Sequence, residues 1–231
     1  MNSESPSKFI ALVGGSGAGK SWLSDQLAQE LGGQMSALSL DDFYRDRSHL
    51  KPAERARLNF DHPEAIDWPL FASVLRDLRD GRTASVPRYS FTSHTRLAEQ
   101  RQISPRPFIV VEGLWLLWPP QIRELFDLCA FLDCSESLRW ERRWTRDLHE
   151  RGRSADSIRE QFWNVVAPMH ERFVRVQKPW ADFVLEQPMS RAGLGELVAT
   201  IRALRAGPGR ASSSTVFSRT TLPPVAALQS L

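Results

Sequence analysis

Apolar residues concentrate in five short runs: KFIALV at 8–13, QMSALSL at 34–40, PFIVVEG at 107–113, LCAFLDC at 128–134 and DFVLE at 182–186. Runs this continuous predict strands covered on both faces, as in a parallel sheet, whereas half-exposed strands alternate apolar with polar positions. Between the runs the apolar spacing changes to the helical period. It predicts helices over 20–31, over 69–80 with Pro69 in the first turn and Gly81 beyond the end, from a Ser135 cap to about Arg151, from a Ser154 cap to about 177, and over 193–206. Residues 48–67 are polar and loop-like with one short helical piece, and SVPRYSFTSHTR (85–96) with AEQRQISP (98–105) reads as two short strands around a turn outside the main sheet. Strands alternating with helices predict an α/β fold of three layers, with a mostly parallel sheet and right-handed crossovers. From 207 the composition turns Ser/Pro/Gly-rich, so the expectation is one domain over 1–206 and a disordered tail over 207–231.

The first strand runs into GGSGAGKS: Gly14, Gly15, Ser16, Gly17, Ala18, Gly19, Lys20 and Ser21. This satisfies G-x-x-x-x-G-K-[ST], and the strand before it and helix after it are the context that a phosphate-binding loop requires. Backbone N–H groups wrap a phosphate where no Cβ intervenes and positive φ is tolerated, which accounts for the four glycines. The N-terminus of the following helix adds partial positive charge, Lys20 can reach the outer phosphates, and Ser21 offers a hydroxyl to Mg²⁺. The loop implies a nucleoside triphosphate and leaves the reaction open. The predicted architecture is therefore that of a P-loop NTPase or kinase.

Composition narrows the class. The 231 residues, 42% hydrophobic, suffice for one domain with a sizeable core. Only four of the 30 basic residues are Lys, and Arg favours bidentate phosphate contacts, yet the net charge is +3 and basic residues are interleaved with acids, so no nucleic-acid partner is expected. Cys129 and Cys134 are too few to staple a fold, and no His/Cys spacing resembles a zinc site. No run of 18 uncharged apolar residues and no leader-like N-terminus occurs, so a soluble, cytoplasmic protein without a membrane partner is expected.

A phosphoryl-transfer site needs a metal site, a group to orient or deprotonate the acceptor, cations for the moving charge and an acceptor pocket. Asp41 and Glu112 end two predicted strands, so both can lie near Ser21 and share Mg²⁺; Asp41 is also the candidate base, with Asp42 as its competitor. Arg139, Arg143 and Arg146 share one helix face, and Arg143, Arg146, Arg151 and Arg153 lie on or beside the break at Gly152, where a lid over about 139–160 could bring cations to the phosphates. The alternative for any one of these is a solvated helix with pairs to Glu136 and Asp147. Trp22, Trp115, Trp140, Trp144 and Trp163 read as packing residues.

GGSGAGKS, SLDDFYR, NFDHPEAID, PRYSFTSHTR, IVVEGLW and RDLHERGRS, in this order, resemble the uridine kinase (uridine-cytidine kinase) family over roughly 8–190. The resemblance implies the P-loop kinase fold, with the small hairpin over the acceptor site, and transfer of the γ-phosphate of ATP or GTP to the 5′-hydroxyl of uridine or cytidine. It implies Asp41 as proton acceptor, Ser21, Asp41 and Glu112 around Mg²⁺, and Arg146 and Arg151, with Arg143, on phosphates beside the Lys20 that the loop already supplies. Asp61, Arg153 and Gln161 would hold the ribose hydroxyls. Tyr44, Phe60, Tyr89, Phe91, His94 and Leu114 would enclose the base, with Tyr89 and His94 at its polar edge. It also implies a homotetramer. Ser90 stands where the family has an acid, Leu40 where it has Gln and Trp68 where it has a smaller polar residue, which leaves the preferred nucleoside open. Two alternatives remain: a related kinase for nicotinamide riboside, ribulose 5-phosphate or pantothenate, and a regulatory NTP-binding module that turns over nucleotide without any acceptor.

Overall fold

The computed structural model describes residues 6–55 and 57–205. The expected tail over 207–231 lies outside them. Its centre is a five-stranded sheet formed by β1 (Lys8–Gly14), β2 (Met35–Ser39), β5 (Phe108–Gly113), β6 (Leu128–Asp133) and β7 (Phe183–Glu186), in the order β2-β5-β1-β6-β7. Every pairing in it is parallel. The remaining strands, β3 (Ala84–Ser90) and β4 (Thr95–Ile103), pair only with each other, as an antiparallel hairpin.

The unbroken apolar runs follow from burial on both faces. In β1, Phe9, Ala11 and Val13 enter one core while Ile10 and Leu12 enter the other. The second core is closed by Leu23, Leu27 and Leu31 of α1 (Lys20–Leu31) and by Leu197, Val198 and Ile201 of α8 (Arg191–Ala203). The first is closed by Phe71, Val74, Leu75 and Leu78 of α3 (Trp68–Arg79), together with Val86, Tyr89 and Ile103 of the hairpin. Asp67 caps α3 by accepting from the Leu70 N–H at 3.2 Å, an interaction worth about 1 kcal/mol. This packing holds the hairpin over the carboxyl ends of β2 and β5.

Several predicted boundaries move. β2 ends at Ser39, and Leu40–Phe43 form a 3₁₀ turn, so Asp41 sits on a turn beyond the strand. The hairpin turn lies at 91–94, which places Thr95–Leu97 in the second strand. Two four-residue helices complete the loops: α2 (Pro52–Arg55) is the short helical piece expected within 48–67, whereas α4 (Pro120–Arg123) is shorter than the window in which a helical period can be read. After α5 (Glu136–His149), the predicted helix from Ser154 is a continuous helical rod with changing pitch. It runs through α6 (Ala155–Gln161), a π turn (Phe162–Val166), α7 (Ala167–Met169), a second π turn (His170–Val174) and a 3₁₀ turn (Arg175–Trp180). Among the described residues no helix is long and apolar enough to cross a membrane. Trp115 is fully buried, as a packing residue should be, and Trp163, though 47% exposed, packs against Trp140 and Phe162, but Trp22 is 48% exposed.

Candidate active site

The loop between β1 and α1 takes positive φ at Gly17 (82°) and Gly19 (95°). Gly14 and Gly15 do not, which corrects the single explanation offered for all four glycines. They are needed for close approach: a Cβ on Gly14 would lie 3.0 Å from the Leu132 carbonyl oxygen, and one on Gly15 would lie 2.6 Å from Nδ1 of His170. Lys20 is buried and donates from Nζ to the Gly15 carbonyl at 3.0 Å, which holds its ammonium against the loop. Burial holds its ammonium below the ordinary lysine range, while Glu112 and Asp41 oppose that shift.

Register brings the acids to this loop. Glu112 pairs with Leu12 on one side and Ser39 on the other, so the ends of β1, β5 and β2 lie side by side. Ser21 donates from Oγ to Oε1 and Oε2 of Glu112 at 2.9 and 3.1 Å. Burial raises the Glu112 carboxyl pKa; the Lys20 charge works against this, and the Asp41 charge adds to it. The Asp41 N–H donates to Ser39 Oγ at 3.3 Å, which fixes the turn, while the Asp41 Oδ1 atom is buried with no hydrogen-bond partner. A buried carboxylate oxygen left open is costly unless a ligand completes it. Among the described residues no group of three His, Cys, Asp or Glu could hold a metal by itself. Ser21, Asp41 and Glu112 together do present oxygen donors of the type a hard, water-rich cation such as Mg²⁺ accepts, beside a phosphate loop.

Beside the phosphate loop lies a solvent-open cleft of about 540 Å³. Asp41, Ser16 and Leu114 lie on its wall, and it joins all nine residues that the resemblance assigned to substrate: Tyr44, Phe60, Asp61, Tyr89, Phe91, His94, Leu114, Arg153 and Gln161. Its aromatic part is tightly built. His94 stacks on Phe60 with centroids 4.6 Å apart and planes 13° apart, and Tyr44 lies 5.0 Å from Tyr89. Tyr44 donates its hydroxyl to the Phe60 carbonyl at 3.0 Å, so its role is to brace the wall; the Tyr89 hydroxyl is buried without a partner and remains free for a ligand. Burial pushes the Tyr89 phenol up to about 12. His94 takes the left-handed conformation at φ 54° in the hairpin turn, uncommon without glycine, and burial with nearby Arg153, Arg55 and Arg151 keeps its imidazole below the ordinary histidine range. Burial raises the Asp61 carboxyl pKa, against the pull of Arg143.

Four arginines face this cleft from α5 and the break after it. Arg143 donates from Nη1 to Ser16 Oγ at 2.8 Å and from Nη2 to Gln161 Oε1 at 2.9 Å, and Arg153 also donates to Gln161 Oε1. Arg151 lies over the Phe91 ring, 4.5 Å from its centroid. Arg139 and Arg143 do share a buried face of α5, and Arg139 lies beneath the loop, donating from Nε to the Cys134 carbonyl at 3.3 Å. Glycine at 17 is also demanded here, since a Cβ would meet the Arg139 carbonyl oxygen at 2.6 Å.

Sequence reasoning missed a second cleft. Of about 610 Å³, it is lined by Gly19, Trp22, Arg142, Gln187, Pro188 and Met189 and shares no residue with the first cleft. Arg142 donates from Nη1 to the carbonyls of Ala18 and Gly17 at 3.3 and 3.4 Å, and the Gln187 Nε2 atom is buried without a partner. The exposed Trp22 belongs to this cleft and not to the core. The available signal was an indole directly after Ser21, on the first turn of α1, where packing does not demand it.

The sequence profile described as the phosphoribulokinase / uridine kinase family matches residues 9–192. A uridine kinase from Clostridium perfringens is 36% identical over 196 residues, 84% of this chain and 94% of that protein. A uridine kinase from Staphylococcus carnosus is 41% identical over 180 residues, 78% of this chain and 86% of its own length. Among solved structures, phosphoribulokinase from Rhodobacter spheroides superposes with a TM-score of 0.61 at 18% identity, covering 78% of this chain and 70% of that one. D-glycerate 3-kinase from Cryptococcus neoformans reaches 0.53 at 17% identity, over 74% and 80%. With strand order, phosphate loop and sequence likeness all in agreement, the chain belongs to the phosphoribulokinase / uridine kinase family.

Proposed function

We propose that this kinase is a uridine kinase, transferring the terminal phosphoryl group of a nucleoside triphosphate to the 5′-hydroxyl of a pyrimidine nucleoside. The observation that carries the proposal is the open, buried Oδ1 of Asp41, on the wall of a cleft whose far side is an aromatic box with one neutral imidazole. Asp41 orients the 5′-hydroxyl and accepts its proton as the oxygen attacks. Asp61, Arg153 and Gln161 suit a ribose diol, and Tyr89 and His94 offer a hydroxyl and a neutral donor/acceptor to the edge of a flat base. The diphosphate end of the donor takes over the Lys20 ammonium from the Gly15 carbonyl, while Arg146 and Arg151, with Arg143, face the charge that spreads over the transferring group. Ser21, Asp41 and Glu112 would hold Mg²⁺, which when bound supplies positive charge to the phosphate oxygens. The second cleft would receive the donor base, between the Trp22 indole, the Arg142 guanidinium and the Gln187 amide, and it suits a purine of either ATP or GTP.

The test is a phosphorylation screen with ATP and GTP over nucleosides, nicotinamide riboside and small alcohols, with product position read by NMR. Triphosphate turnover that depends on uridine or cytidine and yields the 5′-monophosphate is expected. Turnover that ignores every nucleoside would leave the regulatory module in its place.

A further inference from the structure

Asp147 belongs to no part of the site described so far, yet its carboxylate is fully buried among the arginines that face the cleft. Arg146 meets its Oδ1 with Nε at 2.9 Å and Nη2 at 2.9 Å, Arg143 places Nε 3.3 Å from Oδ2, and Arg151 places Nη1 3.6 Å from Oδ1. The Asp147 backbone carbonyl also accepts from the Arg153 N–H at 3.1 Å, across the Gly152 break.

We infer that Asp147 is the positioning residue of the phosphate-facing arginines: one buried carboxylate, hydrogen-bonded by Arg146 and paired by charge with Arg143 and Arg151, gathers three guanidiniums and leaves their other edges presented to the transferring group. This rests on those arginines contacting phosphate. Three like charges gathered at one cleft repel, and without a counter-ion their long side chains would separate into water, where each gains solvation and rotamer freedom. A carboxylate of zero exposure is itself expensive unless charges of opposite sign surround it; Arg146 hydrogen-bonds Oδ1 while Oδ2 has only the nearby Arg143 charge, so each half of the cluster requires the other. The edges are partitioned. Arg143 holds Nε 3.3 Å from Asp147 Oδ2 as a charge pair without a hydrogen bond and sends Nη1 forward to Ser16 in the phosphate loop; Arg146 donates from Nε, sets Nη2 against the same oxygen and keeps Nη1. Three cations against one anion leave the cluster net positive toward the cleft, the sign a developing phosphoryl charge requires. An i,i+1 pair does not ordinarily face itself on a helix, so the return of Arg146 onto Asp147 reflects a specific contact and not mere adjacency.

Asp147→Asn keeps the shape and removes the charge. With kcat expressed per titrated active site, it should fall at least ~10-fold while the KM for uridine stays near wild type, because the arginines lose alignment in the transition state rather than contacts with nucleoside. Asp147→Glu restores the charge and should recover part of that loss. A merely structural role would lower the yield of folded enzyme and leave kcat per active site unchanged. Wild-type kcat in the Asn variant overturns the proposal, as does equal impairment of the Asn and Glu variants; if the Asn variant does not fold, wild-type kcat in a folded Glu variant overturns it. Arg146→Lys separates the two layers. Full activity there sinks the phosphate-contact assignment and the positioning role with it, whereas impaired Arg146→Lys beside unaltered Asp147→Asn sinks the positioning role alone.

Discussion

Ser21 and Glu112 are joined by a hydroxyl that both carboxylate oxygens accept, at 2.9 and 3.1 Å, and this ties the first turn of α1 to the end of β5. The two residues lie 91 positions apart, and the parallel register beside β1 brings them together. Glu112→Gln keeps a hydrogen bond to Ser21 but removes the charge a divalent cation would use. The Mg²⁺ concentration for half-maximal activity should rise by ~10-fold, the scale of losing a group that tunes a metal site. An unchanged Mg²⁺ titration would take Glu112 out of the metal site.

Asp41→Asn removes the proton acceptor and leaves the phosphate loop intact. The expected kcat is lower by at least ~10²-fold, with donor affinity by calorimetry close to wild type. If donor affinity falls in step with kcat, Asp41 acts on nucleotide binding and not on the acceptor.

Gly15→Ala puts a methyl 2.6 Å from the His170 imidazole, whereas Gly33→Ala meets nothing within 4 Å. The first should raise the KM for the triphosphate by ~10-fold or more, since the loop must shift to relieve an overpacked contact; the second should leave it unaltered. Paired steady-state titrations of the two variants decide it, and equal behaviour would mean that the loop tolerates a side chain at 15.

His94→Ala opens one wall of the aromatic box without touching the phosphate loop. The nucleoside KM should rise several-fold more than the donor KM, on the scale of about 1–3 kcal/mol for a lost stacking and hydrogen-bonding partner. The opposite ratio would place His94 outside base recognition.

His170 makes stability depend on pH. Burial, with Arg139 and Lys20 nearby, lowers its pKa to about 3, below the ordinary 6.5. Between these values the unfolded chain binds a proton that the folded chain excludes, so this contribution is complete above the ordinary value and is lost on acidification through that window. Melting curves from about pH 7.5 to about pH 5 should show a steeper fall for wild type than for His170→Gln, whose amide does not titrate. Parallel curves would mean that the imidazole charges in the folded state.

Period and spacing alone determined the five strands, the α/β class, the phosphate loop and the choice of Asp41 and Glu112, because each is written in a few consecutive residues or in which strand end carries an acid. The resemblance then named the cleft residues, and the tertiary structure brought those nine together. What only the structure decided depends on contacts between distant segments. The Gly15 requirement comes from a ring 155 positions away, and Trp22 faces a cleft instead of the core because α1 turns that position away from the sheet toward Gln187 and Met189. The fate of the arginines was equally hidden, since one helical period describes a solvated stripe and a buried cluster alike. Arg139 went under the loop and Arg143 onto Asp147 because neighbouring elements exclude water there, and hydrophobic periodicity records which face of a helix is covered but not which polar partner the cover supplies.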